Sequence, residues 1–337
     1  MGNIKVAVIG AGSWGTALAH LLGVTGSEVR IWARKEEVVR GINEQHRNVR
    51  YLSSQELSHN ITAYGTFAEC VDGAEAVAVV TPSKIMRSVA RELAGLVAQD
   101  TPVVLCCKGV EEGTGLLPVE VFAEEMGNQS RFAVLAGPNH AEEVISCVPS
   151  ATVIASESPE TAELFQNLFV TPSFRTYTSS DVVGVEVCSA CKNVIAIAVG
   201  ISYGIGLGDN TGAFLMTRGQ AEMSRLVYAL GGDPMTCMGL AGTGDLIATC
   251  MSHHSRNRCF GEFLAEGRTL DEYIEMTHMV VEGSLACKTL LPLAERHGVD
   301  LPIAQAVRAV VWEKGDIGVF TETLLGRPLR EEFYGLE

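Results

Sequence analysis

The sequence predicts an α/β fold in which an N-terminal, doubly wound, mostly parallel sheet is followed by an all-α domain. Three observations support this prediction. Short apolar runs alternate with helical patterns through the first half of the chain. A glycine-rich motif separates the first run from the first helical pattern, and from Asp181 onward the apolar spacing follows the helical repeat of about 3.6 residues. We therefore expect one domain over residues 1–180 and a second, helical domain over residues 181–337.

Composition limits the classes of function. The chain has 337 residues, is 47% hydrophobic and carries a net charge of −15, which disfavours nucleic acid or an anionic membrane surface as a partner. The ten cysteines are scattered and no signal peptide is evident, so we expect a cytoplasmic protein without membrane insertion. Neither Cys188-x-x-Cys191 nor His253-His254 has partners at metal-ligand spacing, and we expect no metal site.

The first element is the apolar run from Ile4 to Ile9, which ends directly at a glycine-rich turn. Gly10, Gly12 and Gly15 give the spacing G-x-G-x-x-G between a predicted strand and a predicted helix. In that context the glycines permit a tight turn and a close approach of pyrophosphate to the helix N-terminus. The motif predicts a Rossmann-type dinucleotide-binding domain.

The second strand, from Glu28 to Ala33, ends where such a fold contacts the ribose next to adenine. Arg34 and Lys35 stand there in place of an acidic residue. Two cations suit a 2′-phosphate, so the sequence favours NADP over NAD, unless Arg34 only stacks on the adenine ring.

Further strands are predicted along the first domain, at residues 76–80, 102–107, 132–136, 151–155 and 174–178, with a helix at 161–170. In a doubly wound sheet the ligand crevice lies at the carboxyl ends of the strands. Lys108 and Asn139 follow two of these strands. Lys108 is therefore a candidate ligand-binding residue, although a lysine after a strand is also a common surface charge.

The second domain is predicted to contain helices at 181–200, 210–230, 255–266, 282–297 and 302–314, with Pro292 kinking or dividing the fourth. On the first helix, Lys192 lies in a stripe of small residues with Gly184, Cys188, Ala196 and Gly200. Small residues allow another backbone or a ligand to approach closely. A lysine held among them would be poorly hydrated, which lowers its pKa and suits a general base; the alternative is a lysine whose ammonium reaches solvent at the helix edge.

The segment from Gly239 to Arg258 combines a glycine-rich turn, Asp245 and a helix start at Ser255. Ser255 is a candidate N-cap, with Arg256 and Asn257 in the first turn. Backbone N–H groups, the helix dipole and an arginine together form a phosphate site, whereas the same residues could simply cap the helix.

Taken together, these residues resemble the bacterial-type NAD(P)-dependent glycerol-3-phosphate dehydrogenase family. The resemblance extends over essentially the whole chain and rests on five segments: GAGSWGTALA (10–19), CCKGVE (106–111), GPNHAEEV (137–144), CKNVIAIAVG (191–200) and GLAGTGDLIATCMSHHSRNR (239–258). It implies a cytoplasmic homodimer that interconverts sn-glycerol 3-phosphate and dihydroxyacetone phosphate and supplies glycerol 3-phosphate for phospholipids.

The resemblance also implies site residues. Lys192 corresponds to the family's proton acceptor, and Lys108 to the lysine that contacts both cofactor and substrate. The other substrate contacts that it implies are Gly137, Asn139 (where the family usually has Ser), Asp245, Ser255, Arg256 and Asn257. The remaining cofactor contacts that it implies, besides the glycines, are Ser13, Trp14, Arg34, Ala141, Arg256, Val280 and Glu282. The stretch NEQHRNVRYL (43–52) resembles a further family segment but lacks its usual following proline.

Two other functions are compatible with parts of this pattern. One is a dehydrogenase with a helical second domain that acts on 3-hydroxy acids, which would need no phosphate anchor. The other is a non-catalytic NADP-binding sensor, which would have no need of the set Lys192, Lys108 and Asp245.

Overall fold

The computed structural model describes residues 4–278, 281–313, 315, 317–326, 328–329, 331–332 and 334–335. It divides into two compact units. The first contains residues up to Cys107 together with Pro118–Val182, and the second contains Lys108–Leu117 and the chain from Val183 onward. The predicted α/β and all-α architectures are confirmed.

The first unit is built on an eight-stranded sheet. Its strands are β1 (Lys5–Ile9), β2 (Glu28–Trp32), β3 (Ile61–Tyr64), β4 (Ala76–Val79), β5 (Val103–Leu105), β6 (Phe132–Ala136), β7 (Ser150–Ala155) and β8 (Phe174–Ser179). The helices between them are α1 (Ser13–Val24), α2 (Glu36–Gln45), α3 (Phe67–Val71), α4 (Met86–Ala94), α5 (Pro118–Met126), α6 (Ala141–Ile145) and α7 (Pro159–Phe169).

The strand order is β3-β2-β1-β4-β5-β6-β7-β8, and every neighbouring pair is parallel except β6 and β7. Central strands of such a sheet are covered on both faces, which explains why β1 and β4 read as continuous apolar runs. From Val6 to Ile9 no residue of β1 is more than 1% exposed. The order reverses between β1 and β4, which is the switch point where doubly wound folds bind ligands.

The second unit is helical, and the described residues beyond Ser179 contain no strand. Its helices are α8 (Val182–Gly204), α9 (Asp209–Ala229), α10 (Asp245–Met251), α11 (Arg256–Ala265), α12 (Leu270–Thr277), α13 (Glu282–Arg296), α14 (Pro302–Trp312) and α15 (Ile317–Leu325). By length and composition α8 could cross a membrane, but 94% of its most apolar window is buried within the folded chain. Its hydrophobicity is that of a core helix.

Close contact between α8 and α11 explains part of the small-residue stripe. A Cβ on Gly200 would overlap the backbone of Arg258, and a Cβ on Gly261 would overlap the Ile197 carbonyl oxygen. These glycines therefore allow two helix backbones to touch. At this end of the stripe the approaching group is a helix and not a ligand.

Pro292 does not divide α13, which runs as one segment from Glu282 to Arg296. Pro292 is exposed, so water can satisfy the carbonyl group that loses its N–H partner. Buried Leu290 and Leu293 anchor the helix on either side of it.

Candidate active site

Lys192 lies within α8 and is only 5% exposed. Its Nζ donates to Asp245 Oδ1 and, at 2.9 Å, to Thr249 Oγ1. The interpretation of Lys192 as a lysine whose ammonium reaches solvent is therefore wrong, because the ammonium is held among buried partners.

Asp245 is the first residue of α10 and follows a π-helical turn at Leu240–Gly244. In this turn a Cβ on Gly242 would overlap the Cys237 carbonyl group, so the turn requires glycine there. Asp245 is 3% exposed, and its Oδ2 accepts from Lys108 Nζ at 3.2 Å. One buried carboxylate thus joins the two lysines singled out by sequence, all within the second unit.

Thr249 completes this cluster and was not predicted from the sequence. It lies one turn after Asp245 on α10, accepts from Lys192 and donates to Asp245 Oδ1 at 3.3 Å. The signal that could have identified it is the spacing i, i+4 between an acid and a hydroxyl residue on one helix face.

Burial and neighbouring charges set the ionisation of the cluster. Burial lowers the pKa of Lys192 to about 8; Asp245 opposes this effect, and Lys108 adds to it as a second cation. Burial also acts to lower the pKa of Lys108, but attraction to Asp245 and Glu282 outweighs it, so that pKa is raised. For Asp245, burial is outweighed by the two lysines, and its pKa is lowered. Lys192 is consequently the member that can gain or lose a proton near neutral pH.

The predicted phosphate loop has the expected helix start. Ser255 is the N-cap of α11, and its hydroxyl accepts from the Arg258 N–H at 3.3 Å. Arg256 is exposed on the first turn, which contains no acidic side chain. An anion at the N-terminus of α11 would be attracted by the positive end of the helix dipole and by the charge of Arg256.

Asn257 makes more hydrogen bonds within the protein than its predicted role at the phosphate site suggested. Its Nδ2 donates to Asn193 Oδ1 at 2.9 Å, and its Oδ1 accepts from the Gly283 N–H at 3.0 Å. Asn193 Nδ2 in turn donates to Glu282 Oε2 at 3.3 Å. This network ties α8, α11 and the start of α13 together. Asn193, next to Lys192, was also missed from the sequence.

The glycine-rich turn in the first unit fits a dinucleotide. A Cβ on Gly10 would lie 2.6 Å from the Val80 carbonyl oxygen, and one on Gly15 would overlap the Gly10 carbonyl oxygen. A Cβ on Gly12 would have no neighbour within 4 Å, so this glycine borders open space at the N-cap of α1. The first turn of α1, with Ser13 and Trp14 half-buried, has no acidic residue and no side-chain cap. Its free N–H groups are therefore available to a pyrophosphate.

Asn48 supports this turn. It was not among the site residues predicted from the sequence, because its segment (43–52) lacks the proline that usually follows it in the family. It is fully buried, and its Nδ2 donates to the Ala11 carbonyl at 2.9 Å and to Thr16 Oγ1 at 2.8 Å. Its Oδ1 accepts from the backbone N–H groups of Arg50 and Tyr51.

Arg34 is exposed directly after β2, and Lys35 is the N-cap of α2. Within the described part of the chain Arg34 has no ion pair or hydrogen bond. Its guanidinium is therefore available to a ligand.

Gly137 and Asn139 follow β6, and Ala141 begins α6. Gly137 has φ +157°, and a Cβ there would lie 2.9 Å from the Ala151 carbonyl oxygen. Asn139 Nδ2 donates to that carbonyl at 2.9 Å, whereas its buried Oδ1 has no partner among the described residues. Of the other predicted cofactor contacts, Glu282 begins α13 and Val280 lies outside the described residues.

Known proteins match both halves of the chain. Residues 5–162 match the family model for the N-terminus of NAD-dependent glycerol-3-phosphate dehydrogenase, and residues 181–322 match the model for its C-terminus. A glycerol-3-phosphate dehydrogenase [NAD(P)+] of Chlorobium luteolum is 46% identical over 312 residues, covering 92% of this chain and 94% of the relative. One of Corynebacterium diphtheriae is 44% identical over 331 residues, covering 98% and 100%.

Solved structures agree with these matches. The crystal structure of glycerol-3-phosphate dehydrogenase from Coxiella burnetii has a TM-score of 0.92 and 35% identity, covering 96% of this chain and 99% of that one. D-mandelate dehydrogenase, at 12% identity and a TM-score of 0.62 over 94% of this chain and 99% of that one, shares the fold alone. The chain belongs to the NAD-dependent glycerol-3-phosphate dehydrogenase family.

Proposed function

We propose that this enzyme interconverts sn-glycerol 3-phosphate and dihydroxyacetone phosphate with NADP or NAD, using Lys192 as the general acid and base. The observation that carries the proposal is the buried cluster in which Asp245 joins Lys192 and Lys108. A lysine with its pKa lowered to about 8 can exchange a proton at physiological pH, whereas a solvated lysine cannot.

The direction of proton transfer follows from the charge of Lys192. In oxidation the neutral amine accepts the proton of the secondary hydroxyl, and in reduction the ammonium polarises the ketone and returns that proton. When bound, the nicotinamide accepts or supplies the hydride at carbon 2 of the substrate. Asp245 and Thr249 fix the direction of the Lys192 amine, and burial, aided by the nearby cation of Lys108, keeps the pKa of Lys192 low.

The phosphate of the substrate is assigned to the start of α11. Arg256 supplies a charge-assisted hydrogen bond there, and the N-terminus of α11 supplies the positive end of the helix dipole. Ser255 shapes this helix end, and Asn257 positions it through Asn193 and Gly283. In the first unit, Gly137 and the unpartnered oxygen of Asn139 are assigned to the substrate.

The pyrophosphate of the cofactor is assigned to Gly10, Gly12 and Gly15 in the first unit. Arg34 is assigned to a 2′-phosphate, which favours NADP. The other residues proposed to contact the cofactor are Ser13, Trp14, Lys108, Ala141, Arg256, Val280 and Glu282.

We further propose that residues 1–180 form the cofactor domain and residues 181–337 the domain for substrate binding and dimerisation. The enzyme would act as a cytoplasmic homodimer and supply glycerol 3-phosphate for phospholipid synthesis. Sedimentation of the purified chain tests the oligomeric part of this proposal, and a monomer at micromolar concentration would refute it.

An initial-rate assay tests the reaction. Oxidation of NADPH and of NADH is measured in parallel with dihydroxyacetone phosphate and with unphosphorylated dihydroxyacetone. We expect rapid turnover only with the phosphorylated ketone, since Arg256 and the helix end recognise phosphate. Equal rates with both ketones would favour a hydroxy-acid type of dehydrogenase. Binding of NADPH without turnover would favour a sensor.

A further inference from the structure

Thr81 carries a buried hydroxyl group whose role the proposed reaction does not explain. It follows β4, is 5% exposed, and its Oγ1 has no hydrogen-bond partner among the described residues. A buried hydroxyl without a partner costs about 1–3 kcal/mol, and valine has nearly the same shape without that cost. In the absence of a ligand, the Thr81 hydroxyl therefore lowers the stability of the fold.

Other buried threonines in the same unit do have partners. Thr152, Thr161 and Thr176 each donate to a backbone carbonyl, at 2.8, 2.9 and 3.0 Å. Unlike these three residues, Thr81 has no hydrogen-bond partner for its hydroxyl among the described residues.

Thr81 lies at the switch point of the sheet. β4 pairs with β1 in the register Ile9↔Val79, and the strand order reverses between these two strands. A Cβ on Gly10 would lie 2.6 Å from the Val80 carbonyl oxygen and 3.6 Å from the Thr81 methyl carbon. Thr81 therefore packs against the first glycine of the cofactor motif, where a dinucleotide crosses the sheet.

The position of Thr81 also indicates which part of the dinucleotide it would contact. In a doubly wound fold, one mononucleotide lies over the half formed by β1, β2 and β3, and the other over the half that begins with β4. Arg34, after β2, belongs to the adenosine half, and Thr81 belongs to the nicotinamide half. We propose that the Thr81 hydroxyl hydrogen-bonds the nicotinamide-nucleoside half of the bound cofactor, a proposal that rests on the cofactor assignment above.

Calorimetric titration of Thr81→Val with NADPH and with 2′,5′-ADP, which carries only the adenosine half, tests this contact. Loss of one hydrogen bond should weaken NADPH binding about three- to tenfold and leave 2′,5′-ADP binding unchanged. The Tm without ligand should stay the same or rise, because an unpartnered hydroxyl has been removed. Thr81→Ser should bind NADPH like the wild type.

Thr176→Val is the matched control, since Thr176 lies on β8 at the edge of the sheet and its buried hydroxyl donates to the Gln166 carbonyl on α7. It should lower Tm and leave NADPH binding unchanged. The proposal is overturned if Thr81→Val binds NADPH like the wild type, or if it loses NADPH and 2′,5′-ADP binding equally. A wild-type chain that binds neither NADPH nor NADH would instead refute the cofactor assignment itself.

Discussion

Replacing Asp245 with asparagine tests whether one buried carboxylate sets the charge of Lys192. Asp245 Oδ2 lies 3.2 Å from Lys108 Nζ, its Oδ1 bonds Lys192, and the Asp245 side chain is 4% exposed. At an effective dielectric constant near 20, unit charges about 3 Å apart attract by about 5 kcal/mol. Relaxation of the site and entering water should leave about half of that effect. The Lys192 ammonium in Asp245→Asn would then lose roughly 2–3 kcal/mol of stabilisation, which lowers its pKa by about 1.5–2 units.

The pKa of Lys192 would then fall below its value of about 8 by roughly that shift. In Asp245→Asn the rise of kcat/KM with pH for glycerol 3-phosphate oxidation should move to lower pH by that amount. Reduction of dihydroxyacetone phosphate near pH 8 should slow by about 15-fold or more, because the ammonium form becomes scarce. Both quantities come from initial rates measured across the pH range.

Glu222→Gln is the matched control, since Glu222 is another buried acid of the second unit and accepts from the Ile303 N–H, whereas Lys192 bonds Asp245 and Thr249. This variant should keep the wild-type pH profile. An unchanged profile in Asp245→Asn would refute the electrostatic reasoning, even if the variant were slower.

Three further predictions concern single side chains. Thr249→Val removes an acceptor 2.9 Å from Lys192 Nζ and should reduce turnover about three- to tenfold, with Thr249→Ser close to the wild type; equal loss in both would assign Thr249 a packing role. Burial raises the pKa of Glu222 to about 8, so the folded chain holds this proton more tightly than the unfolded chain and loses stability as pH rises from 4.5 towards 8. Glu222→Gln can still accept from the Ile303 N–H, so its Tm should increasingly exceed that of the wild type across this range, and a constant difference would contradict the assignment. Arg34→Ala should raise KM for NADPH about tenfold or more without changing KM for NADH; equal effects on both would exclude a 2′-phosphate contact.

Much of the fold could be predicted because its signals are local. Apolar runs that meet glycine or proline identified seven of the eight strands, and helical periodicity identified the long helices of the second unit. The strand Ile61–Tyr64 was missed because its four residues alternate weakly after a polar stretch. The short helices α10, α12 and α15 were missed because seven to nine residues give too little periodicity.

The site was less predictable because its contacts join distant parts of the chain. The sequence and its resemblance to a family singled out Lys192, Lys108 and Asp245, but not the fact that a single carboxylate bonds both lysines. Asn48 donates to the Ala11 carbonyl of the cofactor turn, more than thirty residues earlier in the sequence, and no local pattern predicts such a hydrogen bond. The glycines of α8 were easy to notice, but the helix that contacts them was not predictable without the three-dimensional structure.

The most direct test of Lys192 as the proton carrier is the turnover of Lys192→Ala with and without an added primary amine such as ethylamine. We expect kcat to fall by orders of magnitude while NADPH binding stays nearly intact, because Lys192 acts on the substrate proton. Ethylamine should restore part of the rate by occupying the space that the side chain leaves. A variant that keeps its kcat and loses only affinity for dihydroxyacetone phosphate would contradict the account, and the base would then have to be another residue.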